Sequence, residues 1–112
     1  MSIVEALMDG AKADTDVLYS LDKNGDNFTQ SRDVDFLLRA PDAKKAQLVC
    51  DFINDHSYGK ASVQEDTNVQ VIINMPVTQS VILSVSAFFT CLSQIFSLEY
   101  DGWGCPIVKT NP

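Results

Sequence analysis

The sequence predicts a single α+β domain, in which helices pack on an antiparallel sheet. A length of 112 residues is typical of one domain. It is also long enough to bury a core without disulfide or metal staples. An apolar fraction of 46% and a charged fraction of 21% are those of an ordinary folded chain. Helical and strand-like hydrophobic periods alternate along the chain without repeats or a Pro/Gly-rich linker, which favours one mixed fold.

The first half of the chain predicts a helix, a strand and a second helix. Ser2 is placed to cap a helix that ends near Asn24-Gly25, and Gly10 predicts a break with a restart near Asp14 or Thr15. Residues 32–40 alternate apolar and polar, as a strand does. Pro41-Asp42 then opens a helix with one apolar face, formed by Ala46, Val49, Cys50 and Ile53.

The second half predicts two strands, a third helix and a last strand. The strands cover roughly 60–65 and 68–75, and Pro76 ends the second. The third helix covers 78–97, and the residues predicted to form its core stripe are Val81, Val85, Phe88, Leu92 and Ile95. Its opposite face has no charge, so we expect it to pack against the first helix, a partner or a second copy; its residues are Ser86, Thr90, Ser93 and Ser97. The last strand spans 98–108, interrupted by glycines around Trp103.

After the first helix, the element order is β-α-β-β-α-β. This order is that of the ferredoxin-like two-layer sandwich, a four-stranded antiparallel sheet with two helices on one face. The predicted fold is therefore α+β, ferredoxin-like, with an extra N-terminal helix that covers an edge or the open face of the sheet. The single domain, 1–112, divides into a helical segment at about 2–24 and a sandwich at about 32–108.

The charge of the chain indicates which kind of partner it can bind. The chain has 8 basic and 15 acidic residues, a formal net charge of −7. Its field repels a phosphate backbone and attracts a basic protein surface, so we expect a protein partner and no direct nucleic-acid binding.

The three cysteines, Cys50, Cys91 and Cys105, are typical of reduced thiols in a cytoplasmic protein. We read no signal peptide, and serines, threonines and glutamines interrupt the apolar stretch 77–98, which argues against a membrane span.

No motif predicts an enzyme, a metal site or a cofactor. The chain has no Walker loop, dinucleotide fingerprint or zinc-protease motif, and its one histidine, His56, excludes a multi-histidine metal site. Asp22, Asn24, Asp26 and Asp33 match oxygen-ligand positions of an EF-hand calcium loop. Asn27 stands where that loop needs glycine, and a strand follows where it needs a helix. We therefore favour a helix end and polar loop, with weak calcium binding as an alternative.

The sequence Tyr100-Asp101-Gly102-Trp103-Gly104 is the most unusual local feature. Its glycines predict a bulge or tight bend within the last strand. Trp103 fits either of two roles, a plug in the core or an anchor on a recognition surface.

Two segments resemble the family called regulator of ribonuclease E activity B. One is the run from Leu18 to Phe36, Leu-Tyr-Ser-Leu-Asp-Lys-Asn-Gly-Asp-Asn-Phe-Thr-Gln-Ser-Arg-Asp-Val-Asp-Phe. The other is Glu99-Tyr100-Asp101-Gly102-Trp103-Gly104, which is similar to the family's C-terminal signature. The resemblance implies a ferredoxin-like, cytoplasmic, non-catalytic protein that binds ribonuclease E and modulates RNA turnover. The better-known members continue into a strongly acidic tail, whereas this sequence stops at Pro112.

We therefore expect a non-catalytic regulator that binds ribonuclease E or a similar basic nuclease and inhibits it. The candidate partner-binding residues, taken from the two motifs, are Tyr100, Asp101, Trp103, Asp26 and Arg32. No catalytic residue, metal ligand, cofactor or membrane contact is expected, and a homodimer is an open possibility. The alternatives are an immunity or antitoxin-like protein that neutralises another nuclease or toxin, and the weak calcium-binding domain.

Overall fold

The computed structural model describes residues 2–109. Seven elements follow one another along the chain: α1 (Ile3–Lys23), β1 (Arg32–Arg39), α2 (Ala43–Asp55), β2 (Lys60–Gln64), β3 (Asn68–Met75), α3 (Gln79–Phe96) and β4 (Glu99–Gly104). The four strands form one sheet in the order β2-β3-β1-β4, and every neighbouring pair is antiparallel. The predicted ferredoxin-like α+β fold with an additional N-terminal helix is confirmed.

The register of the sheet separates a buried face from an open face. Val34 lies opposite Ile73, Phe36 opposite Val71 and Leu38 opposite Val69. These residues of β1 are fully buried and belong to the core beneath the helices. The residues between them, Asp33, Asp35, Leu37 and Arg39, point to the other side of the sheet, since successive strand residues face opposite ways.

The first helix is uninterrupted, so the predicted break at Gly10 is wrong. The hydroxyl of Ser2 caps the helix by accepting the Glu5 N–H at 3.1 Å, and the helix ends at the loop of Asn24. A Cβ placed on Gly10 would lie 3.5 Å from Oγ1 of Thr90 in α3. Gly10 therefore lies where α1 meets α3, and the packing of the two helices offsets the weak helix propensity of glycine.

The buried face of the third helix overlaps the predicted core stripe only in part, since Leu92 is buried and Val85 is half-buried. Phe89 and Ile82 are fully buried, whereas Val81, Phe88 and Ile95 are exposed, Ile95 by 75%. The uncharged face is also covered, because α1 packs against α3; its buried residues are Ser86, Thr90 and Ser93, whereas Ser97 is exposed. The expectation that this face packs against the first helix is confirmed. This contact within the chain explains why the face carries no charge.

Two of the buried hydroxyls on α3 form their hydrogen bonds within the helix. Thr90 donates to the carbonyl of Ser86 at 3.1 Å, and Ser93 donates to the carbonyl of Phe89 at 2.7 Å. Small, self-satisfied side chains let α1 approach α3 without leaving a buried polar group unpaired.

The last strand is shorter than the sequence predicted, since it ends at Gly104 rather than near residue 108. Residues 105–108 have no regular structure and cross toward the loop that precedes β1, where Lys109 forms an isolated bridge with Asp26. Helix α1 contacts α3 and β4 and leaves the far side of the sheet uncovered.

Candidate partner-binding surface

The motif of two aromatics and two glycines forms β4 and contains the expected irregularity. Its register against β1 shifts between Phe36 and Leu38. Gly102 has φ +87°, which glycine adopts without steric cost. The bulge lets Tyr100 pair with Leu38 and Trp103 pair with Phe36, although the two aromatics are three residues apart. Both therefore point to the helix side of the sheet.

Trp103 connects β4 to α1. Its indole N–H donates to Oδ1 of Asp14 at 2.9 Å, and its partly buried ring packs against the core. Asp14 is only 5% exposed. The two roles predicted for Trp103 are thus not exclusive, since the ring is anchored in the fold and part of it stays accessible.

The groups around Trp103 form a buried polar network. Burial raises the pKa of Asp14, although hydrogen bonds from Ser86 and Trp103 partly offset this effect. The Tyr100 hydroxyl and the Ser86 hydroxyl lie 2.8 Å apart. Burial also raises the pKa of Tyr100. Tyr100 is therefore a neutral phenol in the folded protein, and its contact with α3 helps to hold β4 in place.

Asp101 points the other way, to the open side of the sheet. Its carboxylate forms an ion pair with Nε of Arg39, whose side chain is 57% exposed. Such an exposed pair contributes little to stability. Both groups are free to exchange this contact for one with a partner.

Asp26 and Arg32 form a buried ion pair below the surface, with side chains 0% and 3% exposed. The guanidinium also donates to three backbone carbonyls, those of Asn27, Gln30 and Pro106. Oδ2 of Asp26 additionally accepts the N–H of Val108 at 3.1 Å. The pair therefore ties the α1–β1 loop to the segment that follows β4.

The five predicted site residues thus fall into two groups. Tyr100, Asp101 and Trp103 lie together on β4, and Asp26 and Arg32 lie under the segment that leaves it. Because their side chains are inaccessible, Asp26 and Arg32 could serve a partner only by positioning this segment. The binding role assigned to all five stays a prediction.

The open face of the sheet is a candidate binding surface that the sequence reasoning did not identify. We define the open sheet face as the side chains of alternate strand residues away from the helices: Asp33, Asp35, Leu37, Arg39, Lys60, Ser62, Gln64, Asn68, Gln70, Ile72, Asn74, Glu99 and Asp101. A shallow concavity of about 480 Å³ lies on it between the β4 bulge and the β2–β3 turn, and its lining includes Asp35, Gln70 and Asp101. The alternation of Asp33 and Asp35 with buried residues was the signal that could have revealed it.

The loop that matches EF-hand positions is occupied by protein contacts. The carboxylate of Asp26 faces the Arg32 guanidinium, and the side chain of Asn27 accepts hydrogen bonds from Thr29. Strand β1 starts at Arg32. Within residues 2–109, no three His, Cys, Asp or Glu side chains converge as metal ligands. A cation at Asp26 would meet the positive charge of Arg32, which disfavours the calcium alternative.

The cysteines and the histidine show no feature of a reactive site. Cys50, Cys91 and Cys105 are free, and burial raises the pKa of Cys50 and of Cys105, which keeps both thiols protonated. Nδ1 of His56 lies 2.8 Å from the carbonyl of Phe52, at the end of α2.

Helix α3 meets the length and composition of a membrane span, and it is the one helix in the described part of the chain that does so. In the fold it is a packed helix. Its buried residues contact the sheet and α1; the hydroxyls of Thr90 and Ser93 bond within the helix, and that of Ser86 bonds to Tyr100. The helix therefore gives little support to a membrane role.

The fold and these side chains define a two-layer α+β domain, distinguished by the bulged β4 and an uncovered sheet face. Its sequence matches the family model described as regulator of ribonuclease activity B over residues 11–105. The chain therefore belongs to that family, whose members regulate ribonuclease activity. No curated protein matches the chain.

Proposed function

We propose that this protein binds ribonuclease E and lowers its activity by protein–protein contact, without catalysing a reaction itself. The observation that carries the proposal is the family match over residues 11–105, which includes β4 and the loop of Asp26 and Arg32. The protein would act in the cytoplasm, where ribonucleases meet their RNA.

Electrostatics supports a basic enzyme as the partner. The protein has a formal net charge of −7. Surfaces that bind RNA carry lysine and arginine to neutralise phosphates. Association of an acidic regulator with such a surface is accelerated by opposite charge and slowed by salt. Aromatic side chains are frequent anchors at interfaces, and Trp103 is only partly buried on β4.

The test combines binding and inhibition. Purified protein is added to ribonuclease E with an RNA substrate at low and at high salt, and RNA cleavage is measured beside a pull-down from lysate with mass spectrometry. Slower cleavage and capture of ribonuclease E, both lost at high salt, would support the proposal.

Two other results would redirect or reject it. Capture of a different nuclease or toxin, with cleavage by ribonuclease E unchanged, would favour the immunity or antitoxin alternative. Capture of no protein partner, together with unchanged cleavage, would reject protein-mediated regulation.

A further inference from the structure

The open sheet face is a regular surface that the helices leave uncovered. Helices α2 and α3 cover one side of the sheet, and α1 packs on α3 and β4. The other side carries the half-buried Leu37 and Ile72 among polar side chains, and it is concave beside β4. A sheet face with apolar centres and a rim of charge is suited to receive a segment of another chain.

The charges of this face are mainly negative and are concentrated on β1 and β4. It carries the four carboxylates Asp33, Asp35, Glu99 and Asp101 against two basic side chains. One of these, Arg39, is already paired with Asp101 and lies opposite Glu99. Within residues 2–109, neither Asp33 nor Asp35 takes part in an ion pair.

Neighbouring side-chain amides occupy one oxygen of each of these two carboxylates, and the other oxygen can accept a hydrogen bond from a partner. Asn74 donates an amide N–H to Oδ1 of Asp33 at 3.0 Å, and Gln70 donates to Oδ1 of Asp35 at 3.3 Å. These bonds orient the two amides. The other carboxylate oxygen of Asp33 and of Asp35, Oδ2, accepts no hydrogen bond within the described chain. Arginine and lysine side chains are donors without an acceptor, and they complement this arrangement.

We propose that the open sheet face receives a lysine- and arginine-rich RNA-binding segment of the ribonuclease, with Asp33 and Asp35 taking the place of RNA phosphates. This inference rests on the proposed function and adds to it the docking face and the chemistry of the segment. Because the same basic side chains bind RNA, the regulator and RNA exclude one another on that segment. Inhibition then falls as the RNA concentration rises.

A pair of variants with equal net charge tests the docking face. Asp33→Asn with Asp35→Asn removes two charges from the face and keeps an acceptor for Asn74 and Gln70. Asp9→Asn with Asp16→Asn removes two charges from exposed positions of α1. The dissociation constant for full-length ribonuclease E is measured for both and for the unmodified protein. Circular dichroism and thermal unfolding confirm that all three are folded.

We expect the sheet-face variant to bind roughly tenfold to hundredfold more weakly, since each docked carboxylate is worth about tenfold or less. The α1 variant should bind within about threefold of the unmodified protein, because its charges act only through the long-range field. A single-stranded RNA oligonucleotide should displace the unmodified protein from the enzyme.

Four results would overturn the inference. If the two variants weaken binding equally, net charge and not the sheet face is responsible, and the proposed function stands. If RNA does not compete, the segment is not an RNA-binding one. If the sheet-face variant loses self-association but keeps ribonuclease binding, the face belongs to a second copy. If the unmodified protein does not bind ribonuclease E, the proposed function fails and this inference fails with it.

Discussion

Replacing Arg32 by methionine should greatly lower the free energy of unfolding, because the change leaves a buried carboxylate without its counter-ion. Arg32 donates five hydrogen bonds from a side chain that is 3% exposed, one of them to the fully buried Asp26. Methionine fills a similar volume, so the substitution leaves only a small cavity. The remaining carboxylate has no counter-ion, and Asp26 Oδ1 already lacks a hydrogen-bond partner within the described residues.

The expected cost follows from the burial of this pair. Removing one partner of a buried ion pair destabilises a protein by about 3–5 kcal/mol. For a domain of this length, that corresponds to a fall of about 15 °C in melting temperature. A typical domain is stable by only about 5–15 kcal/mol, so the variant should be marginally folded.

Two comparisons separate this effect from a general loss of charge. Arg39→Met removes an arginine from the same strand, but its ion pair with Asp101 is exposed, so it should cost less than about 1 kcal/mol. Arg32→Met combined with Asp26→Asn should be about 2 kcal/mol more stable than Arg32→Met alone, because a neutral amide is easier to bury than a carboxylate.

Urea unfolding followed by circular dichroism measures these differences. Hydrogen exchange of the Val108 amide, which donates to Asp26, reports whether the C-terminal segment is released. A loss below about 1 kcal/mol for Arg32→Met, or equal stability of the single and double variants, would refute the reasoning.

Three further predictions concern α1, α3 and the β2 edge. Burial raises the pKa of Asp14, so the folded state binds its proton more tightly than the unfolded chain does. The contribution of Asp14 to stability should therefore fall as pH rises above about 4; in urea unfolding from acidic to neutral pH, the stability of Asp14→Asn should increase relative to that of the unmodified protein. Gly10→Ala should stabilise α1 by about 0.5–1 kcal/mol, whereas Gly59→Ala should destabilise, since its Cβ would lie 2.6 Å from a Val71 methyl; the two melting temperatures check this. Phe89→Ala should lower the free energy of unfolding by about 3–5 kcal/mol because Phe89 is buried. Ile95→Asn should change it by less than about 0.5 kcal/mol because Ile95 is exposed. Urea unfolding of both variants distinguishes the observed buried face of α3 from the hydrophobic stripe.

The order and type of the elements could be predicted because they depend on local signals. Strand β1 was found from its alternation, and α2 from Asp42, which caps it by accepting the Lys45 N–H at 2.7 Å. The ferredoxin-like topology followed from that order. The bulge in β4 was indicated by Gly102, the residue that adopts positive φ there.

The candidate site was predicted only in part. The motif residues of β4 were found, but sequence spacing could not show that Tyr100 and Trp103 point to the helices while Asp101 points away, since the bulge decides this. The buried state of Asp26 and Arg32 depends on a contact with Pro106 and Val108, which are distant in sequence. The open sheet face needs β1, β3 and β4 side by side before its side chains form one surface.

By itself, the sequence determined the class of this protein: an acidic α+β fold of the regulator of ribonuclease activity B type, with its elements in order. Local hydrophobic periods, capping residues and turn glycines are sufficient for that, because each acts within a few residues. Only the tertiary structure decided which face of α3 is buried, since α1 packs on its hydroxyls and leaves Ile95 in solvent. It also decided which carboxylates are held inside and which lie on the open sheet face, because the buried Asp14 and Asp26 accept hydrogen bonds from Trp103 and Val108, which are distant in sequence.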